Sequence, residues 1–336
     1  MSDRKDNMIS FWRIVFTYGV VLFHLFNQYE HWTGWDIGVE FFFVVSGWLL
    51  AADLNKYNRT PYGYTLHRIK RLYPEYFMAF IVSAGCLIYA NKFTVNDTLA
   101  WLEGDGIKEL LCIHYWPWWD VPYANNASWY VCILLVAGLF LYSLCKRVPG
   151  IAKEIIIPAA IIVGLTYSYR TYGSLLTEFY EGIWYHHRFV RGFLEMGIGI
   201  LLFDFNEKYS IYLKNKAVQI FGFLILLITF VAAYYRKGKI EYLYLLLISI
   251  GVAISFNTNL IFQSKLLAFF NKISYSIYLN HIIFRSYLMP KFFPALSIKM
   301  ILLYLVVVTV FAIIMYYISK YVWQLLGKLF VAVFKK

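Results

Sequence analysis

The chain has 336 residues, is 61% hydrophobic and only 15% charged, and carries a formal net charge of +12. Soluble domains hold about 25% charged residues and do not string together several apolar runs of about 20 residues, so an ordinary soluble fold is excluded. The positive charge does not point to nucleic acid either, because Lys and Arg sit mainly in short stretches on one side of the predicted helices, where membrane topology accounts for them.

Apolar runs long enough for a bilayer core of about 30 Å predict an all-α, polytopic membrane protein of about ten transmembrane helices. They fall near 11–29, 35–53, 75–91, 128–145, 154–170, 188–205, 217–235, 240–257, 272–289 and 298–320. They use nearly the whole length, so residues 1–336 read as a single transmembrane domain with no separate soluble domain of ordinary size, ~100 residues. The basic start at Arg4 and Lys5 is followed by no small-residue cleavage site, so the first helix is expected to stay. Ten spans put both termini in the cytoplasm. The basic clusters support that placement, apart from Arg236, Lys237 and Lys239, which fall outside. Thirty Tyr, 29 Phe and 11 Trp suit two interfacial aromatic belts.

The first span carries Arg13 and His24, eleven positions apart. That is ~16 Å of rise and almost three turns, so they share a face and can line one long pocket. Intramembrane ionisable groups usually mark function, although Arg13 can also snorkel and His24 can also be a packed core histidine. The second span opens with Glu40, at a depth like that of His24, where a carboxylate can orient an imidazole. Gly38 and Gly47 allow close helix approach. A cytoplasmic loop follows, with Arg68, Lys70 and Arg71 before Pro74. Arg68 and Arg71, three apart, suit a polyanion such as a nucleotide's phosphates, or anionic lipid.

The segment from about 92 to 127 is expected outside. Its run from His114 to Asp120 is an aromatic cluster for the interface or for stacking on a sugar. Arg188 and Arg191 share a face of the sixth span and fit an anionic acceptor. An ion pair of Arg191 with Glu195 fits the same spacing. His281 and Arg285 are a further polar pair on the ninth span, and His186-His187 reads as interfacial. The four cysteines show no metal spacing and read as packing residues, so no metal is expected.

Taken together, these residues resemble the acyltransferase-three family of integral membrane O-acyltransferases. Arg13 and His24 are similar to its first-helix pair. The run Gly38-Val-Glu40-Phe-Phe-Phe-Val-Val-Ser-Gly47 looks like its Gly-Val-Asp-Leu-Phe-Phe-Val-Leu-Ser-Gly helix. Arg68-Ile-Lys-Arg71-Leu-Tyr-Pro74 resembles its basic loop, and Ser128-Trp129-Tyr130 opens the fourth span. The run from Ile273 to His281 is close to its Ile-Ser-Tyr-Ser-Leu-Tyr-Leu-Trp-His. Glu40 replaces the commoner Asp and Asn280 the usual aromatic, and no esterase-like domain follows, as in the stand-alone type.

The resemblance implies transfer of an acyl group, usually acetyl, from acyl-CoA to a hydroxyl of a cell-surface or lipid-linked glycan, in the inner membrane. It implies His24 as catalytic, with Glu40 orienting it and Arg13, Arg68, Lys70 and Arg71 engaging the donor. Trp129, Tyr130, Arg188, Arg191 and His281 are candidates for the acceptor, and a donor near Ser128, Trp129 or Tyr130 for the oxyanion. Direct transfer and an acyl-His24 intermediate both remain open. A lipid-linked glycan transporter or polymerase is the competing class, with large outer loops and inverted repeats as its marks; neither is evident.

Overall fold

A computed structural model describes residues 7–114, 124–175, 187–235, 237–256, 260, 264–288 and 295–334. All regular elements among them are helical. In chain order they are α1 (Asn7–Asn27), α2 (Gly38–Tyr57), α3 (Pro61–Asn91), α4 (Val95–Trp101) and α5 (Ile107–Leu110). Then come α6 (Trp129–Arg147), α7 (Pro149–Ile151), α8 (Ile157–Thr171), α9 (His187–Leu213), α10 (Lys216–Tyr235), α11 (Glu241–Ser255), α12 (Lys265–Ile283) and α13 (Ile298–Phe334). Single π turns, Leu102–Gly106 and Ala152–Ile156, carry α4 into α5 and α7 into α8.

Every expected span coincides with a helix, but seven helices among the described residues are long and apolar enough to cross a membrane: those containing α1, α2, α3, α6, α8, α10 and α13. The other three fall short for readable reasons. α9 carries Arg188, Arg191, Glu195, Asp204, Glu207 and Lys208. α11 has 15 residues, about 22 Å of rise against a core of roughly 30 Å. α12 begins with Lys265 and carries Asn271 and Lys272. A second difference concerns residues 65–74. They are not a loop but lie inside the 31-residue α3, with Pro74 within the helix. Pro74 gives up one backbone N–H there.

The chain forms two compact units. Unit 1 holds Met1–Leu66, Tyr115–Trp119 and Cys132–Lys272; unit 2 holds His67–His114, Asp120–Val131 and Ile273–Lys336.

In unit 1, α1, α2, α10 and α11 meet through Met8, Trp12 and Phe16, Phe41 and Val44, Leu226, and Tyr244 and Ile248. Phe16 stacks on Phe41 with ring centroids 4.6 Å apart. Trp35 lies flat on Phe230 at 5.3 Å and donates its indole N–H to the Phe230 carbonyl at 2.8 Å. The turn from α2 to α3 closes on Asn58, whose φ is +49°. The side chains of Lys146 and Asn58 hydrogen-bond across it, and Arg59 pairs with Asp53. Glu241 receives Ser174 Oγ at 2.6 Å and the N–H groups of Leu175 and Gly238 at 2.7 Å.

The tightest packing is between α2 and α9. A methyl group on Gly47 would collide with the carbonyl of Met196, and one on Gly199 with the carbonyl of Val44. Two backbones in contact leave no flexible side chain to move aside. Gly38 does the same service against α1, where a Cβ would meet Val20 Cγ2 at 2.7 Å and the Phe16 carbonyl at 2.8 Å.

In unit 2, Phe80 and Ala84 of α3 pack with Ala124, Leu87, Trp101 and Leu110. Ser276 Oγ of α12 donates to the Ala312 carbonyl of α13 at 2.9 Å. Tyr304 of α13 donates to the carbonyl of His281 at 3.1 Å.

Gly47→Ala and Gly199→Ala are each expected to destabilise the purified protein by about 3 kcal/mol or more through overpacking. Gly85→Ala, where an added Cβ meets nothing within 4 Å, is the matched control. Thermal denaturation in detergent reads the difference; equal midpoints for all three would show that α2 and α9 are not held this closely.

Candidate active site

In unit 1 the candidate residues lie on α1, α2 and α9. Arg13, half-buried on α1, donates from Nη1 to Oδ1 of Asn271 at 2.9 Å. That amide lies on α12 just before Lys272, and it fixes the direction of the guanidinium. His24 is half-buried near the end of α1, edge-on to Phe23 with ring centroids 5.1 Å apart. Helical spacing puts it on the Arg13 face, as the sequence requires.

Glu40, in the first turn of α2, is 1% exposed. Its Oε1 accepts from Arg191 Nη2 at 2.5 Å, while its Oε2 has no hydrogen-bond partner. Arg191 also donates from Nε to Glu195 Oε1 at 3.0 Å. All three groups are buried. The i,i+4 ion pair foreseen for Arg191 is therefore present, and a second carboxylate from another helix completes it. Burying a guanidinium is tolerable only when it is paired and hydrogen-bonded. With two carboxylates on one cation, the trio carries no surplus positive charge for an anionic ligand. Arg188, one turn earlier, is half-buried. Asp36, in the 3-10 turn ahead of α2, is 2% exposed with neither carboxyl oxygen hydrogen-bonded.

In unit 2, Arg68 is half-buried, and Lys70 and Arg71 are exposed on α3. Arg71 has Arg68 three residues before it and Glu75 four after, so the three share one helical face. Trp129 and Tyr130 open α6, each 7% exposed. Tyr130 meets Tyr278 edge-on at 5.6 Å. Tyr278 donates to the Ala127 carbonyl at 3.0 Å, and its own carbonyl lies 2.6 Å from Nδ1 of the fully buried His281. Trp129, Tyr130 and His281 thus belong to one packed group.

Sequence reasoning passed over Glu109 and read His114 only as part of an aromatic run. Glu109, His114 and Ser128 are each at most 2% exposed. His114 Nε2 lies 2.8 Å from Ser128 Oγ, which in turn lies 3.3 Å from Glu109 Oε1. A Glu-x4-His spacing inside a connecting segment carries no motif signal. Residues 115–120 of the aromatic run, and His186, lie outside the described residues. None of the four cysteines is in a disulfide, and Cys112, Cys132 and Cys145 are buried. Among the described residues, no three His, Cys, Asp or Glu side chains gather as metal ligands.

Seven helices among the described residues that are long and apolar enough to cross a membrane, with ionisable groups buried on α2 and α9, point to a multi-pass membrane protein. A family model described as an acyltransferase domain, Acyl_transf_3, matches residues 7–319, nearly the whole chain. The chain belongs to this acyltransferase-3 family. Comparison with curated proteins and with solved structures finds no match.

Arg191→Ala leaves Glu40 and Glu195 buried without their cation and is expected to cost about 3–5 kcal/mol. Glu40→Gln, which keeps an acceptor for Arg191, is expected to cost less. Chemical denaturation of the purified variants checks both. A milder effect from Arg191→Ala than from Glu40→Gln would contradict the central place given to the guanidinium.

Proposed function

We propose that this acyltransferase is an O-acyltransferase of the inner membrane, moving an acyl group, acetyl above all, from acyl-CoA to a hydroxyl of a cell-surface or lipid-linked glycan. The observation that carries the reading is the family match over 7–319 together with Arg13 and His24 on one face of α1. Coenzyme A combines an anionic nucleotide end with a long, thin arm that ends in the reacting thioester. Arg68, Lys70 and Arg71 take the phosphates, as guanidinium groups suit polyanions, and this face of α3 is cytoplasmic. Arg13, already aimed by Asn271, guides the donor.

His24 is the general base. Its imidazole removes the proton of the acceptor hydroxyl as that oxygen attacks the thioester carbonyl. The tetrahedral intermediate then expels the coenzyme A thiolate, which takes the proton back from the imidazolium. Glu40, whose Oε1 is held by Arg191 and whose Oε2 has no hydrogen-bond partner in this structure, is the carboxylate assigned to orient the histidine, and that role requires Oε2 to accept an imidazole N–H during the reaction. Trp129 and Tyr130, with His281 behind them, serve the sugar acceptor through aromatic stacking and hydrogen bonding. Arg188 is the cation for an anionic sugar, since Arg191 is engaged by Glu40 and Glu195.

The test uses purified wild type, His24→Ala and the double Arg68→Ala, Arg71→Ala variant with radiolabelled acetyl-CoA. His24→Ala is expected to bind the donor but to lose at least about 100-fold in turnover, the scale of a missing general base. The double Arg variant is expected to bind at least about tenfold more weakly at low salt, with a shallower salt dependence than wild type, because the charges that salt screens are gone. Absence of saturable acetyl-CoA binding by folded wild type would overturn the reading in favour of glycan transport or polymerisation.

A further inference from the structure

Arg236, Lys237 and Lys239 stand against the charge bias that places the other basic clusters. The structure fixes which end of unit 1 the two lysines occupy. The segment after α1 and the end of α10 are clasped together. Gly34 donates its N–H to the Ala233 carbonyl at 2.8 Å, and His31 Nε2 lies 3.2 Å from the Tyr234 hydroxyl. Trp35 packs against Tyr234 as well, with ring centroids 5.1 Å apart. Lys237 follows, its ammonium 4.5 Å from the centroid of the Trp32 ring. The lysines therefore sit at the end of α1 that carries His24 in its last turn, away from the Arg13 end. Topology does not account for cations there.

The segment that carries them is tied down. Glu241, 1% exposed at the start of α11, accepts the N–H of Gly238, between the two lysines, at 2.7 Å. The same carboxyl holds Ser174 and Leu175, just beyond α8. Gly238 has a φ of +91°, which glycine adopts without strain. Lys239 lies over Tyr169 of α8, 5.1 Å from the ring centroid, and Tyr242 braces that ring edge-on at 5.2 Å. Both lysines are exposed, as are Trp32 and Tyr169. Among the described residues, neither lysine is in an ion pair.

Exposed rings alone are ordinary at a membrane interface. What the belt does not require is a cation fixed beside each ring. A lysine over a ring keeps its charge and its N–H donors. Two such pairs, on lysines whose Cα atoms are at most about 7 Å apart, present flat apolar faces with ammonium groups next to them. That combination fits a saccharide bearing negative groups. The sugar lays its C–H face on an indole or phenol ring, and its anion meets an ammonium. Arg188 lies at the same end of α8, because Tyr172 meets the neighbouring His187 with ring centroids 4.8 Å apart. A phosphatidylglycerol headgroup would supply the anion but has no ring to lay on Trp32.

We propose that Trp32, Tyr169, Lys237 and Lys239 form a docking surface for an acidic saccharide, and that the acceptor reaches His24 over it. This rests on the reading of His24 as the catalytic residue for a sugar hydroxyl, and it makes that acceptor an anionic glycan.

Full-length protein in a neutral detergent is titrated with four probes. Trigalacturonate is a carboxylated saccharide, galactose 1-phosphate a phosphorylated one, maltotriose a neutral one, and phosphatidylglycerol an anionic lipid. The emission of Trp32, obtained by difference from Trp32→Phe, is the readout. At least one acidic sugar is expected to change it saturably, and maltotriose at least about fivefold more weakly. Lys237→Gln with Lys239→Gln is expected to weaken the acidic sugar at least about fivefold, the scale of two exposed charge contacts. Lys237→Arg with Lys239→Arg is expected to retain it. Lys208→Gln with Lys214→Gln removes the same charge at the far end of α9 and is expected to leave the response unchanged. No saturable response to either acidic sugar overturns the proposal, as does maltotriose binding equally well. Equal weakening by both Gln pairs, or a response to phosphatidylglycerol alone, also overturns it. The titrations contain no acetyl-CoA, so failure here and failure of the donor reading are separate results.

Discussion

The buried guanidinium of Arg191, shared between Glu40 and Glu195, is the interaction on which the rest of unit 1 depends. An isolated charge at that depth is prohibitive, and a pair is tolerable only with good geometry. Good geometry here requires α2 and α9 to approach until their backbones touch, which Gly47 and Gly199 permit. The ionic and steric constraints therefore reinforce each other. The glycines allow the distance at which the carboxylate meets the guanidinium, and the ion pair fixes the register of two helices that could otherwise slide. α1 is then placed against α2 through Gly38 and the Phe16–Phe41 stack. The helix that carries Arg13 and His24 thus inherits its position from Arg191.

The helices were legible because a bilayer core admits few alternatives to a run of about 20 apolar residues. What that rule does not reach is the helix that is only partly apolar. α9 carries six charged residues and α11 is short, so hydropathy marks them less firmly than it marks α10 or α13. The basic stretch before Pro74 misled in the opposite direction. A proline after charged residues reads as the end of a loop. Within a helix it costs one hydrogen bond, and the 31 residues of α3 absorb that cost.

Candidate residues were legible to different depths for a related reason. Arg13 and His24, or Arg191 and Glu195, lie on one helix, and the period of 3.6 residues places them without any knowledge of tertiary structure. The partner of Glu40 lies 151 positions away, and that of Arg13 lies 258 away. No local pattern anticipates either pairing. Glu109 is the extreme case: it forms no ion pair among the described residues, its partners are mostly backbone N–H groups, and its own helix has four residues.

The engagement of Arg191 also changes what the first turns of α9 can do. Two arginines three apart suggest a clamp for an anion. Arg191 is already held by two buried carboxylates, so the two arginines do not act together as a clamp on one anion. In unit 2, the packed group of Trp129, Tyr130, Tyr278 and His281 has its rings held in fixed orientation by backbone hydrogen bonds. Rings prearranged in this way lose little conformational freedom when anything packs against them, whereas a mobile charged side chain loses more.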